Sequence, residues 1–236
     1  MNEKLHIVTY ATHKTGRFEE LINNKYNLNI TVLGFGTKWK GYNDKIIGLQ
    51  KFCKKINKKD IIVFIDAFDT IINKNPKNLL KEFKKFNTNI LVSKHPSSND
   101  YITIKIFGNF EVIANAGMYM GYVEDLELLC KEILDRNIND DQIALNQCIY
   151  NPKKKLNIKI DENNIIFKNH PIYNFFTNDT YDSFFVSYPG GSQNSFRYKL
   201  NRYRRALSEY LHFFKLEALI LLLLILIIKL ILKYRY

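Results

Sequence analysis

Cysteine is scarce and scattered in this sequence. Cys53, Cys130 and Cys148 stand apart with no CxxC spacing, which excludes a disulfide framework and a paired-thiolate zinc site and fits a reducing compartment. Internal repeats, low-complexity tracts and a long linker are also missing, so solenoids and strings of tethered domains drop out. The N-terminus, MNEKLHIVTYATH, has only a short apolar run before polar residues resume. Without the apolar stretch of a secretory signal, the chain is not expected to enter a lumen by that route.

What is present is core-forming material. The 236 residues are 46% apolar and 14% aromatic, enough for one substantial domain and too hydrophobic for intrinsic disorder. The formal net charge of +12 favours an anionic partner: a phospholipid surface, nucleic acid or a nucleotide diphosphate. Richness in Ile, Lys and Asn resembles the output of an AT-rich genome, which weakens arguments from charge. Lys51, Lys54, Lys55, Lys58 and Lys59, with Lys153 to Lys155 and Arg202 to Arg205, are not interleaved with an aromatic platform, so nucleic acid is not the expected partner.

The C-terminal end carries the longest apolar run, unbroken from Ala218 to Ile228 and extending over residues 216–232 with only Glu217 and Lys229 inside it. A helix of that length covers about 25 Å, within reach of a membrane span. Basic residues flank it, with Tyr234 and Tyr236 beyond, a pattern suited to a lipid interface. The expectation is a domain at 1–200, a basic juxtamembrane helix at 201–215, a transmembrane anchor at 216–232 and a basic tail at 233–236. This single-pass anchor would leave the domain facing the cytosol.

Along the domain, Leu5 to Tyr10, Asn29 to Gly34, Asp60 to Ile65 and Asn89 to Ser93 read as strands. Helical periodicity places Ile46, Leu49 and Cys53 on one face, Leu79, Leu80 and Phe83 on another, and Leu126, Leu129, Ile133 and Leu134 on a third. The alternation predicts a three-layer α/β domain with a mostly parallel central sheet. Asp140-Asp141-Gln142 begins a further helix, and Ile158 to Asp161 and Ile165 to Phe167 are short strands.

The most informative local pattern is Phe64-Ile65-Asp66-Ala67-Phe68-Asp69, two carboxylates arriving where a buried strand ends. Ligands of open α/β sheets bind at the carboxyl ends of strands, where a hard cation can be held against a phosphate. Two aspartates three apart serve equally as a capping and turn device.

The order of these segments resembles the glycosyltransferase domain of the procollagen lysyl hydroxylase and glucosyltransferase family, including its giant-virus relatives. The resemblance runs from about Leu5 to Leu200, through Leu33 to Gly41, Ile62 to Asp69, Ala114 to Gly121, Asp140 to Gln142 and the glycine turn before Lys199. It implies a GT-A fold, a UDP-sugar donor (UDP-glucose or UDP-galactose), Mn2+ as metal and a protein acceptor, hydroxylysine of collagen-like protein. By the same resemblance Asp66 and Asp69 bind the metal. Thr9, Trp39, Lys45, Asp66, Asn115, Gly117, Gly190, Gly191 and Lys199 face the donor, and Asp141 with Asp140 serves transfer, with retention of configuration. A viral setting would put the anchor in a host membrane or virion.

Alternatives stay open at several positions. Lys45 also reads as a solvated helix lysine, and the aspartate pair as a helix start. An acceptor lipid or glycan at a membrane is the rival substrate, and a scaffold that has lost turnover is the rival to enzyme. The last follows from a departure: where the family has a histidine ligand, this chain has Ser187-Tyr188. Diphosphate and water then complete the metal shell, or His170 reaches in, or the enzyme is impaired.

Overall fold

A computed structural model describes residues 3–95, 113–153, 155–170, 181–188 and 219–228. Gly190, Gly191 and Lys199, the segment 201–215 and the tail 233–236 lie outside the described residues.

Strand β3, Ile61–Ile65, is buried at every position. Its alternation sends Ile61, Val63 and Ile65 into one hydrophobic cluster and Ile62 and Phe64 into another on the opposite face, as a period of two requires. Each such side chain removed from water contributes about 1.5–3 kcal/mol, so the end of this strand is firmly held. β1 (Leu5–Tyr10) lies parallel to β3 and to β2 (Ile30–Leu33). On the other side of β3 the chain enters β6, Ala114–Tyr122, which runs antiparallel both to β3 and to β5, Ile90–Lys94. β7, Ile158–Asp161, closes the edge parallel to β5. The sheet order is therefore β2-β1-β3-β6-β5-β7. A small second sheet combines β4 (Thr70–Ile72), β9 (Phe185–Ser187) and β8 (Phe167–Asn169) in that order.

Helices cover the faces. α1 (Phe18–Ile22) and α3 (Leu79–Lys85, entered by a 3-10 turn at Pro76–Asn78) contribute Leu21, Leu79 and Phe83 to the cluster shared with the small sheet. The opposite face is covered by α2 (Asn43–Cys53), α4 (Val123–Asp135) and α5 (Asp141–Tyr150). In α4, Leu126, Leu129, Cys130 and Ile133 are buried, the i, i+3, i+4, i+7 stripe of an amphipathic helix.

One expectation is refined and another corrected. The central sheet is mixed: β1, β2, β3, β5 and β7 run in one direction, as in the mostly parallel sheet expected, but the Ala- and Gly-rich stretch from Ala114 is a strand that enters antiparallel between β3 and β5. The transmembrane anchor at 216–232, and with it the single-pass membrane localisation and the membrane as partner, is overturned. Among the described residues no helix is long and apolar enough to cross a membrane. Residues 219–228 of that stretch are helical, and residues 216–218 and 229–232 lie outside the described residues.

Candidate active site

The carboxyl ends of β1 and β3 open into a cleft of about 280 Å³, close to the lower limit of the ~300–1,000 Å³ usual for small-molecule sites. Asp66, Asp69 and Lys45 line it, with Trp39 and Tyr42 opposite.

Asp66 is the first residue beyond β3, and its amide donates to the Gly117 carbonyl at 2.8 Å. The turn that follows is clamped from two directions. Arg17 N donates to Phe68 O at 2.8 Å and Tyr188 N to Asp69 O at 2.8 Å. Gly16, at φ +59°, lies so near that a Cβ there would be 2.1 Å from Phe68 O, so only glycine allows the approach. The Ser187 and Thr70 hydroxyls hydrogen-bond to the Asp69 carboxyl. Burial, followed by the nearby Asp66 charge, nonetheless pushes Asp69 up to about 7.

Lys45 answers the question its sequence left open. It sits on the inward face of α2 with Ile46, Leu49 and Cys53, only 7% exposed, while Lys51, Lys54 and Lys55 on the same stretch are exposed. Its Nζ lies 3.2 Å from Asp66 Oδ1 and 2.7 Å from Asp141 Oδ2. Burial alone would lower its pKa, but the two carboxylates outweigh that and hold the ammonium above its ordinary value. Burial also raises the Asp66 carboxyl, against Lys45, which lowers it. Since that side chain is 36% exposed to the cleft, water moderates the effect.

The pair at the start of α5 is divided. Asp140 is exposed and caps the helix, accepting from Ile143 N at 2.9 Å. Asp141 is 5% exposed and turns into the cluster with Lys45. Asn115 donates from Nδ2 to Gln142 Oε1 at 3.2 Å and accepts from Gly117 N at 2.8 Å. Thr9 is buried, its hydroxyl donating to Ile65 O at 2.6 Å. It ties the ends of β1 and β3 together beneath the cleft and does not open into it. Trp39 packs against Tyr10 and edge-on to Tyr42, each at a ring separation of 5.9 Å.

Sequence reasoning missed Tyr10, Tyr42 and Asn146. Asn146 grips the Ala114 backbone from both sides, accepting from its N and donating to its O at 2.9 Å each, and so locks α5 onto β6. For Asn146 the available signal was its position four residues after Gln142 on one helix face.

Among the described residues no group of three or more His, Cys, Asp and Glu side chains could hold a metal. His170 is buried, with Nδ1 2.7 Å from the Tyr181 hydroxyl and its ring beside Tyr188. Asp66 and Asp69 fit a cation that takes its other ligands from phosphate and water, because two repelling carboxylates on a rigid turn are a hard-oxygen donor set.

A mixed α/β sheet with this cleft at its strand ends is the architecture of a GT-A-type glycosyltransferase. The family model described as PLOD GT domain matches residues 1–174, and the chain belongs to that family. It is therefore classed as a glycosyltransferase. Procollagen-lysine,2-oxoglutarate 5-dioxygenase 1 of Gallus gallus is 27% identical over 187 residues, 71% of this chain and 25% of that protein. Multifunctional procollagen lysine hydroxylase and glycosyltransferase LH3 of Homo sapiens is 24% identical over 185 residues, again 71% of this chain and 25% of the relative. The chain thus spans about a quarter of the length of these relatives. Among solved structures, a glycosyltransferase involved in the glycosylation of the major capsid of PBCV-1 matches with a TM-score of 0.50 and 13% identity, over 85% of this chain and 98% of its own. That likeness speaks to fold alone.

Proposed function

We propose that this chain transfers a hexose, glucose or galactose, from a UDP-sugar to a hydroxyl acceptor, with Asp66 and Asp69 holding a divalent cation such as Mn2+. The observation that carries the reading is the pairing of Lys45 with both Asp66 and Asp141 at ion-pair distance, where Lys45, Asp66 and Asp69 line an aromatic-walled cleft. When bound, the cation would act as a Lewis acid toward the departing diphosphate oxygens. Trp39 and Tyr42 would receive the nucleotide base, and Lys45 would supply positive charge beside the diphosphate. Asp141 would steady the positive charge that develops at the anomeric carbon. Hydroxylysine of a collagen-like protein is the acceptor suggested by the names of the relatives.

UDP release from UDP-glucose and UDP-galactose, measured with and without manganese, tests this directly. Slow, manganese-dependent hydrolysis of one donor is expected even without an acceptor. Absence of any cation-dependent binding of UDP would remove the reading.

A further inference from the structure

We propose that Lys45 is the internal counter-ion of the cleft: its ammonium neutralises Asp66 in the unliganded chain, and is given up by Asp66 when a divalent cation and a nucleotide diphosphate arrive together. The proposal rests on the reading of Asp66 and Asp69 as cation ligands.

Three elements meet at this ammonium: α2 supplies Lys45, the end of β3 supplies Asp66 and the start of α5 supplies Asp141. The Asp66 contact is 3.2 Å and the Asp141 contact is 2.7 Å. The second is a charge pairing without hydrogen-bond alignment. A lysine suits exchange between such partners, being a point charge with rotatable donors on a flexible stem, whereas an arginine fork would fix one geometry. The Lys45 side chain is 9% exposed and the Asp66 side chain 36% exposed. The carboxylate therefore faces the cleft while the ammonium sits behind it.

The charge balance points the same way. Fully ionised, Asp66, Asp69 and Asp141 outweigh Lys45 by two negative charges, the charge of one divalent cation. A cation arriving alone would meet an ammonium already seated on Asp66, and that repulsion in a partly buried site weakens its binding. A diphosphate arriving with it gives the ammonium a new anionic partner. Cation and diphosphate should therefore bind with positive coupling, of which Lys45 carries a share.

The test uses the full chain and reads free manganese by its electron paramagnetic resonance signal, first without nucleotide and then with saturating UDP. In the parent, manganese alone should bind weakly and UDP should tighten it at least about tenfold, within the usual range of site coupling. Lys45→Met should bind manganese alone about tenfold more tightly than the parent, yet bind UDP more weakly at fixed manganese. These opposite signs separate the proposal from misfolding, which weakens both. Lys45→Arg keeps the charge, and its manganese affinity without nucleotide should stay within about threefold of the parent. If Lys45→Met, or Lys45→Gln should the former not fold, binds manganese alone no more tightly than the parent, the counter-ion role is overturned while the cation reading stands. If the parent binds no manganese even with UDP, the cation reading of Asp66 and Asp69 falls and takes this proposal with it.

Discussion

Gly117 and Asp66 are packed so closely that a Cβ on the glycine would lie 2.9 Å from Asp66 Oδ2. The same Cβ would be 2.8 Å from Asn115 Oδ1. By the family resemblance Asn115 and Gly117 face the donor. Here the room beside Gly117 is filled by two side chains of the protein, so the glycine sets where the Asp66 carboxylate points.

Gly117→Ala is therefore expected to rotate the Asp66 carboxylate, which Lys45 confines at 3.2 Å on its other oxygen. Overpacking of this kind costs about 1–3 kcal/mol of stability. Cation-dependent UDP affinity should fall by more than about tenfold, since a ligand displaced by an ångström is a poor ligand. Calorimetric titration beside a denaturant melt checks both, and unchanged affinity would show that Asp66 is not placed by Gly117.

The raised carboxyl of Asp69, at about 7, gives a pH prediction. Between the ordinary carboxylate value near 4 and about 7, the unfolded chain has lost this proton and the folded chain retains it. Stability of the metal-free protein should therefore fall as pH rises through that window. Cation affinity should rise over the same window, because cation and proton compete for the same oxygens. Asp69→Asn should flatten the stability change and abolish cation-dependent UDP binding. Chemical melts at several pH values measure the first, and a slope identical in parent and variant would contradict the assignment.

Trp39, 44% exposed at the mouth of the cleft beside Tyr42, should stack on the donor base. Stacking of a base on an aromatic ring is worth about 1–3 kcal/mol, so Trp39→Ala should weaken UDP binding by roughly tenfold or more. Manganese binding measured without nucleotide should be unaffected. A variant that loses manganese affinity instead would place Trp39 in the support of the acidic turn.

Much of the sheet was legible because β3 is a continuous apolar run, the signature of a strand buried on both faces, and β1, β2 and β5 are short segments rich in Ile, Val and Leu. β6 was not, since Ala114, Ala116, Gly117 and Gly121 have weak strand propensity and gain their place only from pairing on both sides. That omission made the sheet look more parallel than it is. β4 and β9, three residues each, are too short to show a period. At the site, the aspartates of the turn stood out from the strand that precedes them, but the burial of Lys45 did not. A lysine on an amphipathic helix is ordinarily solvated, and what reverses this is Asp141, nearly a hundred residues further on. The apolar run at 216–232 misled in the opposite way. Its hydrophobicity was plain, yet among the described residues no helix is long and apolar enough to cross a membrane.

The two aspartates at the start of α5 offer the sharpest test of the site, because neighbours in sequence have parted roles. Asp140 accepts a hydrogen bond from Ile143 N at 2.9 Å, as an N-cap does, and its side chain satisfies an amide the helix cannot. Asp141 begins the buried stripe that continues through Ala144, Leu145 and Cys148, and its carboxylate meets Lys45. Asp140→Ala should cost about 1 kcal/mol of stability, the usual price of a lost cap, with sugar transfer reduced only a few-fold. Asp140→Ser should restore the cap and the stability together. Asp141→Asn keeps size and fold but removes the charge proposed to act at the anomeric carbon. Transfer or donor hydrolysis should then fall on the order of 100-fold or more, as for other single electrostatic contacts made in a transition state, while UDP with manganese should lose far less affinity. Melts, UDP titrations and donor turnover on all three variants separate these effects. Equal losses of turnover in Asp140→Ala and Asp141→Asn, with Asp140→Ser failing to recover, would mean that the exposed carboxylate shares the chemistry and that capping is not its main role.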